Sequence, residues 1–234
     1  MSMHVDPARR TSGAHVFIEV DALDDDGPVG LDDETAHHLS RVLRLRVGED
    51  VTVSDGAGRW RRTEVADAKN FRLETTGDVE TDDRPYAPLT LAAAIPKGDR
   101  LDWMVQKVVE LGVDTLQLLD TDRSDVRWKP ERADKQIVRL RRIAVEAARQ
   151  SRRVWLPEIA PPVAANTILP GATIAEPGGR NVSRSDTCLA IGPAGGWSAH
   201  ECESAADRVT LGPNVLRTET AALAAVTLYV ANCH

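Results

Sequence analysis

The chain has 234 residues, 42% of them hydrophobic and 28% charged, with a formal net charge of −7, which is typical of an ordinary globular protein. No apolar run approaches the ~20 residues that a membrane span requires, and the first ten residues, MSMHVDPARR, lack the apolar core of a secretory signal. Three cysteines without a CxxC pair argue against a disulfide framework or a zinc knuckle. We therefore expect a cytoplasmic protein with neither a membrane nor a metal partner.

The charge is unevenly distributed along the chain. Residues 1–86 hold 11 Lys and Arg against 19 Asp and Glu, whereas residues 87–234 hold 18 against 17. Arginine outnumbers lysine 24 to 5, and it is clustered at Arg41, Arg44 and Arg46, at Arg59, Arg61 and Arg62, and at Arg139, Arg141, Arg142, Arg149, Arg152 and Arg153. Guanidinium groups bind phosphates bidentately and stack on bases, so the clusters are candidate nucleic-acid contacts. Composition alone slightly favours the alternative, that they are solvated helix faces.

The first third of the chain predicts a small β-rich module. Segment 15–20 (HVFIEV) predicts a strand, 34–45 (ETAHHLSRVLRL) a helix, and 51–60 (VTVSDGAGRW) a hairpin that turns at Asp55-Gly56. The polar stretch 74–88 carries two prolines and is typical of a linker. We predict an N-terminal domain over residues 1–78, a linker over 79–88 and a C-terminal domain over 89–234.

The C-terminal part alternates between strand and helix patterns. Five apolar runs predict buried strands, at 89–95, 115–119, 172–176, 187–191 and 208–211. Helices are predicted from the apolar spacing that ends at Gly112, from Pro130 to about Gln150, after a capping box at Ser198, and from about Thr218 to the C-terminus. Buried strands with interleaved helices predict an α/β domain.

Three glycine- and proline-rich turns follow predicted strands, namely EPGG (176–179), GPAGG (192–196) and LGP (211–213). In open α/β sheets ligands bind outside the carboxyl ends of the strands, and glycine lets the backbone approach a ligand closely. The usual phosphate-cradle motifs, metal motifs and hydrolase nucleophile motif are absent from the sequence. These turns therefore predict a site for a small molecule that brings its own reactivity.

Five segments carry a family resemblance. They are HHLSRVLRLRVGE, IPKGDRLDWMVQKVVELGV, VEAARQSRRVWLPEI, IGPAGGWS and LGPNVLRTETA. Their order and content resemble the RsmE-type 16S rRNA uridine-N3 methyltransferases of the SPOUT superfamily, from about residue 15 to the end. The resemblance implies an N-terminal PUA-like β-barrel domain that binds RNA and a C-terminal SPOUT α/β domain with a trefoil knot. It also implies S-adenosylmethionine (SAM) as methyl donor, an obligate homodimer, and 16S rRNA of the small ribosomal subunit as partner.

The sequence departs from the family pattern at three places. Ala194 stands where the family has glutamate in its GPEGG turn, the usual EQSGR segment is RQSRR, and the first strand begins with His15. An RNA-contacting arginine expected near that strand is therefore missing or supplied by Arg9 or Arg10. The Ala194 departure permits an alternative function, an RNA-binding, ribosome-associated protein whose catalytic site has decayed. A nucleotide-dependent oxidoreductase is disfavoured because the dinucleotide fingerprint is missing.

The resemblance also implies roles for individual residues. Arg217 would stabilise negative charge on the uracil carbonyls, and Glu219 would act as a base or orient Arg217, unless the two merely pair across the turn. Thr218 is the expected N-cap of the last helix. The implied cofactor-binding residues are Glu176, Ile191, Gly192, Pro193, Gly195, Gly196, Leu211, Gly212, Leu216 and Thr220. The implied RNA-binding residues are Arg10, Arg41, Arg44, Arg46, Arg149 and Arg153.

Overall fold

The computed structural model of the protein describes residues 6–233, so the outermost ends of the two predicted domains, residues 1–5 and 234, lie outside it. The α-helices are α1 (Pro7–Thr11), α2 (Asp33–His37), α3 (Arg100–Leu111), α4 (Pro130–Gln150), α5 (Ala199–Ser204) and α6 (Thr218–Cys233). The strands are β1 (Ala14–Phe17), β2 (Asp50–Ser54), β3 (Arg59–Asp67), β4 (Arg72–Thr75), β5 (Glu80–Thr81), β6 (Thr90–Ala94), β7 (Thr115–Asp120), β8 (Glu158–Ala164), β9 (Thr173–Asn181), β10 (Cys188–Ile191) and β11 (Asp207–Thr210).

The chain forms two compact units. The first contains the residues up to Pro85 together with Ala148–Leu156, and the second contains Tyr86–Ala147 and the residues from Pro157 onward. Residues 148–156, which the sequence analysis placed inside the 89–234 domain, thus belong to the first unit. The sequence pattern gave no sign of this because residues 148–150 are the last residues of the long helix α4 and residues 151–156 follow it directly.

The first unit is built on a five-stranded sheet. β1 pairs with β2 in parallel, β2 with β3 and β3 with β4 antiparallel, and β5 with the start of β3. The predicted hairpin at Asp55-Gly56 joins β2 to β3, with Gly56 at a φ of 74°. Within residues 6–233 the edge strand β1 does not pair with β4, so the sheet is open, and no closed barrel forms where a PUA-like β-barrel was predicted. The predicted helix over 34–45 is shorter, because α2 gives way to a π-helical turn over His38–Val42.

The segment 148–156 completes the first unit through its backbone. Gly58 donates its backbone N–H to the Val154 carbonyl, and Leu156 donates to the Gly56 carbonyl, each at 2.9 Å. The Trp155 ring lies so close to the Gly58 backbone that a Cβ there would come within 2.3 Å of it. The hairpin that follows β2 is therefore held by residues that lie almost 100 positions later in the chain.

The second unit is an α/β domain around a six-stranded sheet. All strand pairs are parallel, and the strand order is β11-β9-β10-β6-β7-β8. Five of these strands were predicted, and the sixth, β8, was missed. It contains Pro161 and Pro162, which lack a backbone N–H and argue against a central strand, and the structure places β8 at the edge of the sheet where proline is tolerated.

Helices α3 and α6 pack against each other on this sheet, as their apolar patterns require. The face of α3 that carries Met104 and Val108 is buried, and Gly112 ends the helix with a φ of 113°. Helix α6 is apolar nearly all round, and its Tyr229 hydroxyl donates to the Ala87 carbonyl at 2.9 Å. The parallel arrangement brings the carboxyl ends of the strands, and the loops that follow them, to one edge of the sheet.

Candidate functional site

A cleft opens beside the middle of β9 and the ends of β10 and β11, and the GPAGG and LGP turns line it. The predicted EPGG turn is wrong, because residues 176–179 lie within β9, of which Glu176 and Pro177 line the cleft. Eight of the ten predicted cofactor-binding residues line it, namely Glu176, Ile191, Gly192, Pro193, Gly196, Leu211, Gly212 and Leu216. Nine further lining residues were not predicted: Ala175, Pro177, Ala194, Trp197, Thr210, Asn214, Val215, Thr218 and Ala221. The structure thus brings together most of the residues that the family resemblance implied.

Trp197 organises the wall of the cleft. Its side chain is buried, and its indole N–H donates to the Ala175 carbonyl at 3.2 Å, which links the β10 turn to β9. A Cβ at Gly192 would lie 3.1 Å from the Trp197 ring, so glycine is the residue that fits between the turn and the indole without displacement. The signal for Trp197 was its position directly after GPAGG, in a turn already assigned to the ligand.

Thr218 closes the cleft from the α6 side. Its hydroxyl donates to the Gly192 carbonyl at 3.0 Å. Thr218 is the first helical residue and Arg217 precedes it as the cap position, since the Arg217 carbonyl accepts from Ala221 N–H at 2.8 Å. The expected N-cap role of Thr218 is therefore wrong, because its hydroxyl is used across the cleft and not along its own helix.

Two predicted cofactor residues do not line the cleft. Thr220 is exposed on α6, two residues beyond Thr218 and on another face of the helix. Gly195 is not part of the lining, and its carbonyl accepts from the Arg123 guanidinium at 3.2 Å. Both threonines belong to the same RTETA motif, and the structure places Thr218, not the predicted Thr220, in the lining of the cleft.

The chemistry of the lining fits a cationic, partly apolar ligand. Among the residues that line the cleft, Glu176 carries the only formal charge, and Leu211, Val215 and Leu216 supply apolar surface. Glu176 is placed by a break in the pairing of β9 with β11, where the partner changes from Ile174 to Arg180 while β11 advances by one residue. A lining with a carboxylate and no cation is poorly suited to a phosphate group. It suits SAM, which carries a sulfonium and an amino group beside an adenine ring.

The charged pair at the start of α6 does not form an internal ion pair. Arg217 is exposed, and within residues 6–233 its guanidinium makes no hydrogen bond or ion pair. Glu219 is buried, and its Oε1 lies 3.6 Å from Nε of Arg100, the first residue of α3. The interpretation that Arg217 and Glu219 merely pair across the turn is therefore not what the structure contains. Arg100 was missed because nothing in the local sequence links it to a residue more than 100 positions away.

Comparison with known proteins gives the family. A family model described as an RNA methyltransferase domain matches residues 83–230, and one described as an RNA methyltransferase PUA domain matches residues 31–75. The chain is 30% identical over 230 residues to the ribosomal RNA small subunit methyltransferase E of Mycobacterium bovis, with 88% of each chain covered. It is 31% identical over 210 residues to the Synechocystis protein of the same name, covering 79% of this chain and 67% of the relative.

The chain belongs to this RNA methyltransferase family.

Solved structures agree with the family assignment. A ribosomal RNA small subunit methyltransferase E from Neisseria gonorrhoeae bound to S-adenosylmethionine superposes with a TM-score of 0.77 at 31% identity, covering 91% of this chain and 94% of that one. A Legionella pneumophila protein solved in complex with SAM gives a TM-score of 0.78 at 28% identity, covering 93% and 96%. The motif-based recognition is confirmed, and so is the α/β fold with a PUA domain.

In the first unit, four of the predicted RNA-binding arginines lie on the surface. Arg10, Arg41, Arg44 and Arg46 are all exposed. Arg44 has a φ of 55°, an uncommon conformation for a residue with a side chain, at the loop that follows the π-helical turn. Val42, the last residue of that turn, and Val47, in the loop after it, are both more than half exposed. This surface combines positive charge with apolar side chains on which a base can pack.

The other arginines of the first unit have structural contacts. Arg9 is buried over the Trp60 ring and pairs with Asp82, so of the two candidates near the first strand only Arg10 is on the surface. Arg149 is half-buried and donates to the Thr35 hydroxyl at 3.2 Å.

Arg153 is half-buried too, and its carbonyl contacts the ring of His15 at 2.9 Å. The pKa of His15 is lowered to about 3, mainly by burial and to a smaller extent by the positive charges of Arg9, Arg152 and Arg149. The departure from the family pattern at His15 therefore places a neutral ring in the core of the unit. The ring anchors the 148–156 segment.

Within residues 6–233, no group of three or more His, Cys, Asp or Glu side chains could hold a metal ion. No helix in the same range is long and apolar enough to cross a membrane.

Proposed function

We propose that this protein transfers a methyl group from SAM to N3 of a uridine in the 16S rRNA of the small ribosomal subunit. The observation that carries the proposal is the cleft itself: the GPAGG and LGP turns line it together, and Thr218, which directly follows Arg217, donates to the Gly192 carbonyl. This arrangement lies in a chain that belongs to the RNA methyltransferase family. Relatives named ribosomal RNA small subunit methyltransferase E support the choice of substrate.

SAM supplies an electrophilic methyl group when it is bound, so the residues of the cleft have only to bind and orient it. Leu211 and Leu216 offer apolar contact to the adenine, and Glu176 offers the negative charge that the cationic part of the ligand requires. The backbone groups of Gly192 and Gly212 are accessible to its polar edges. Structural neighbours solved with SAM support the same cofactor for this chain.

Uridine N3 carries a proton and becomes nucleophilic as that proton leaves to solvent. The lost proton leaves negative charge on the two uracil carbonyls, and Arg217, exposed and without a partner in the described chain, is available to stabilise that charge. The new N3–methyl bond forms as the sulfur–methyl bond breaks. Of the roles left open for Glu219, orientation of an arginine fits its burial and its ion pair, but that arginine is Arg100 and not Arg217.

The first unit would supply the RNA affinity. Exposed Arg10, Arg41, Arg44 and Arg46 are placed to contact phosphates, which contribute affinity without reading sequence. Arg149 and Arg153, whose backbone and side chains also hold the unit together, are the remaining predicted RNA contacts. Ribosomal RNA as substrate implies a cytoplasmic location.

Two further features are proposed with the family. The first is the trefoil knot in the C-terminal part, which family membership supports. The second is a homodimer, supported by α6, where Leu223, Leu228 and Val230 remain partly exposed although the helix is apolar nearly all round. Sedimentation equilibrium at micromolar concentration should give twice the chain mass of 25.5 kDa. A monomer under those conditions would contradict the proposed dimer.

The function is tested with purified protein, isotope-labelled SAM and either naked 16S rRNA or small subunits prepared from a strain that lacks this gene. We expect 3-methyluridine in the digested RNA by mass spectrometry, and none when SAM is omitted. Calorimetry should show binding of SAM and not of NAD. RNA binding without SAM binding or methyl transfer would favour the alternative of a catalytically decayed RNA-binding protein, which the alanine at position 194 permits.

A further inference from the structure

Arg100 lies at a position that helix stability does not explain. It is the first residue of α3, where the N–H ends of the backbone give the helix terminus a partial positive charge, and a cation there is disfavoured. Its neighbour Asp99 makes no side-chain hydrogen bond to cap the helix. The reason for an arginine at this position must therefore come from outside α3.

The ion pair with Glu219 explains part of why an arginine occupies position 100. The Glu219 side chain is 10% exposed, and a carboxylate removed from water to that extent requires a compensating charge. Arg100 is its only ion-pair partner in the described part of the chain, with Nε 3.6 Å from Oε1. Glu219 itself lies in the first turn of α6, where an anion is favoured, so the carboxylate is well placed to hold the arginine.

The rest of the guanidinium is not used by the protein. The Arg100 side chain is 52% exposed, and its two terminal amino groups make no hydrogen bond within residues 6–233. The contact to Glu219 involves Nε, which leaves the planar fork of the two amino groups open to solvent. A fork of this kind matches two oxygens of a phosphate group.

We propose that Arg100 binds a backbone phosphate of the substrate RNA beside the methylated nucleotide, with Glu219 as the residue that positions it. The position follows from the chain: Glu219 is separated by one residue from Arg217 and follows Thr218, which lines the cofactor cleft. This inference rests on the proposed function, in which Arg217 contacts the uracil carbonyls. The phosphate-binding role of the α/β unit then belongs to Arg100.

The test replaces Arg100 with glutamine and measures RNA affinity as a function of salt. We expect the Kd and the KM for RNA to rise by about 10-fold near 0.1 M salt and the slope of log Kd against log salt to become shallower by about one. The Kd for SAM should be unchanged. Arg100→Lys should recover part of the affinity, since it keeps the charge but loses the fork. Arg132→Gln is the matched control, because Arg132 is exposed on α4 and its side chain makes no hydrogen bond or ion pair in the described chain.

A second experiment distinguishes direct binding of RNA by Arg100 from a purely structural role of the Arg100–Glu219 ion pair. In a Glu219→Gln background, Arg100→Gln should still weaken RNA binding and still change the salt slope. If RNA affinity and salt slope of Arg100→Gln match those of wild type while the melting temperature falls, the pair is structural and the inference is overturned. If wild type binds RNA but transfers no methyl group, the proposed function fails, and the binding measurements still decide the role of Arg100.

Discussion

Replacing Thr218 with valine removes one hydroxyl from the cofactor cleft and little else. That hydroxyl donates to the Gly192 carbonyl at 3.0 Å, and Thr218 is only 6% exposed, so water does not easily take its place. A hydrogen bond of this kind contributes about 1 kcal/mol. The bond ties the start of α6 to the GPAGG turn, and we therefore expect SAM to bind roughly 5-fold more weakly and the melting temperature to fall by about 2–4 °C.

Thr220, two residues after Thr218, provides a control. Thr220 is exposed, does not line the cleft and makes no side-chain hydrogen bond within residues 6–233, so Thr220→Val should leave both quantities at their wild-type values. Isothermal titration calorimetry with SAM measures the affinity of each variant, and a thermal melt measures its melting temperature. The reasoning is refuted if the Thr220 variant loses as much SAM affinity as the Thr218 variant, because the family-based choice of Thr220 would then have been correct.

Three further perturbations test other parts of the molecule. Arg217→Ala should reduce methyl transfer by ~10²-fold or more, with SAM affinity and melting temperature nearly unchanged, since the exposed side chain makes no hydrogen bond or ion pair within residues 6–233. Loss of SAM binding in calorimetry would contradict this. Charge reversal at Arg41 and Arg44 together should weaken RNA binding in a filter or fluorescence assay, with a deficit that narrows at higher salt, and should not change SAM affinity. Unaltered RNA binding would mark these arginines as a solvated surface. His15 is buried, and its pKa is lowered to about 3 from the usual 6.5. As pH falls, the unfolded chain therefore binds a proton at this residue before the folded chain does. The free energy of unfolding should be unaffected by His15 above pH 6.5 and should decrease as pH falls toward 3. His15→Asn should make the denaturation midpoint less dependent on pH in this window, and an equally steep decline in that variant would show that other groups are responsible.

Much of the α/β unit was predictable because its signals are local. The spacing of apolar residues that ends at Gly112 and the capping box at Ser198 both predict helices that the structure contains. The strand β8 was missed for an equally local reason, since Pro161 and Pro162 are unfavourable in a strand unless it lies at an edge. Edge position is a property of the whole sheet and cannot be read from seven residues.

The site was predictable only as far as its motifs extend. The turns that carry Gly192 and Gly212 were located by residue type and order, because close approach of backbone to ligand needs glycine there. The choice between Thr218 and Thr220 depends on which face of α6 meets the β10 turn. The pairing of Glu219 with Arg100 depends on how α3 packs against α6, which no local pattern encodes.

The first unit includes residues 148–156, and this affects how it folds during synthesis of the chain. On the ribosome, this unit cannot complete its fold when its own strands have emerged, because the Val154 carbonyl that accepts from Gly58 and the ring of Trp155 are made much later. The nascent chain must hold a half-formed sheet, with His15 lacking the Arg153 carbonyl, until residue 156 of 234 has been added. A fragment that ends at Pro85 should accordingly be unstable in isolation, and adding residues 148–156 as a separate peptide should restore its structure.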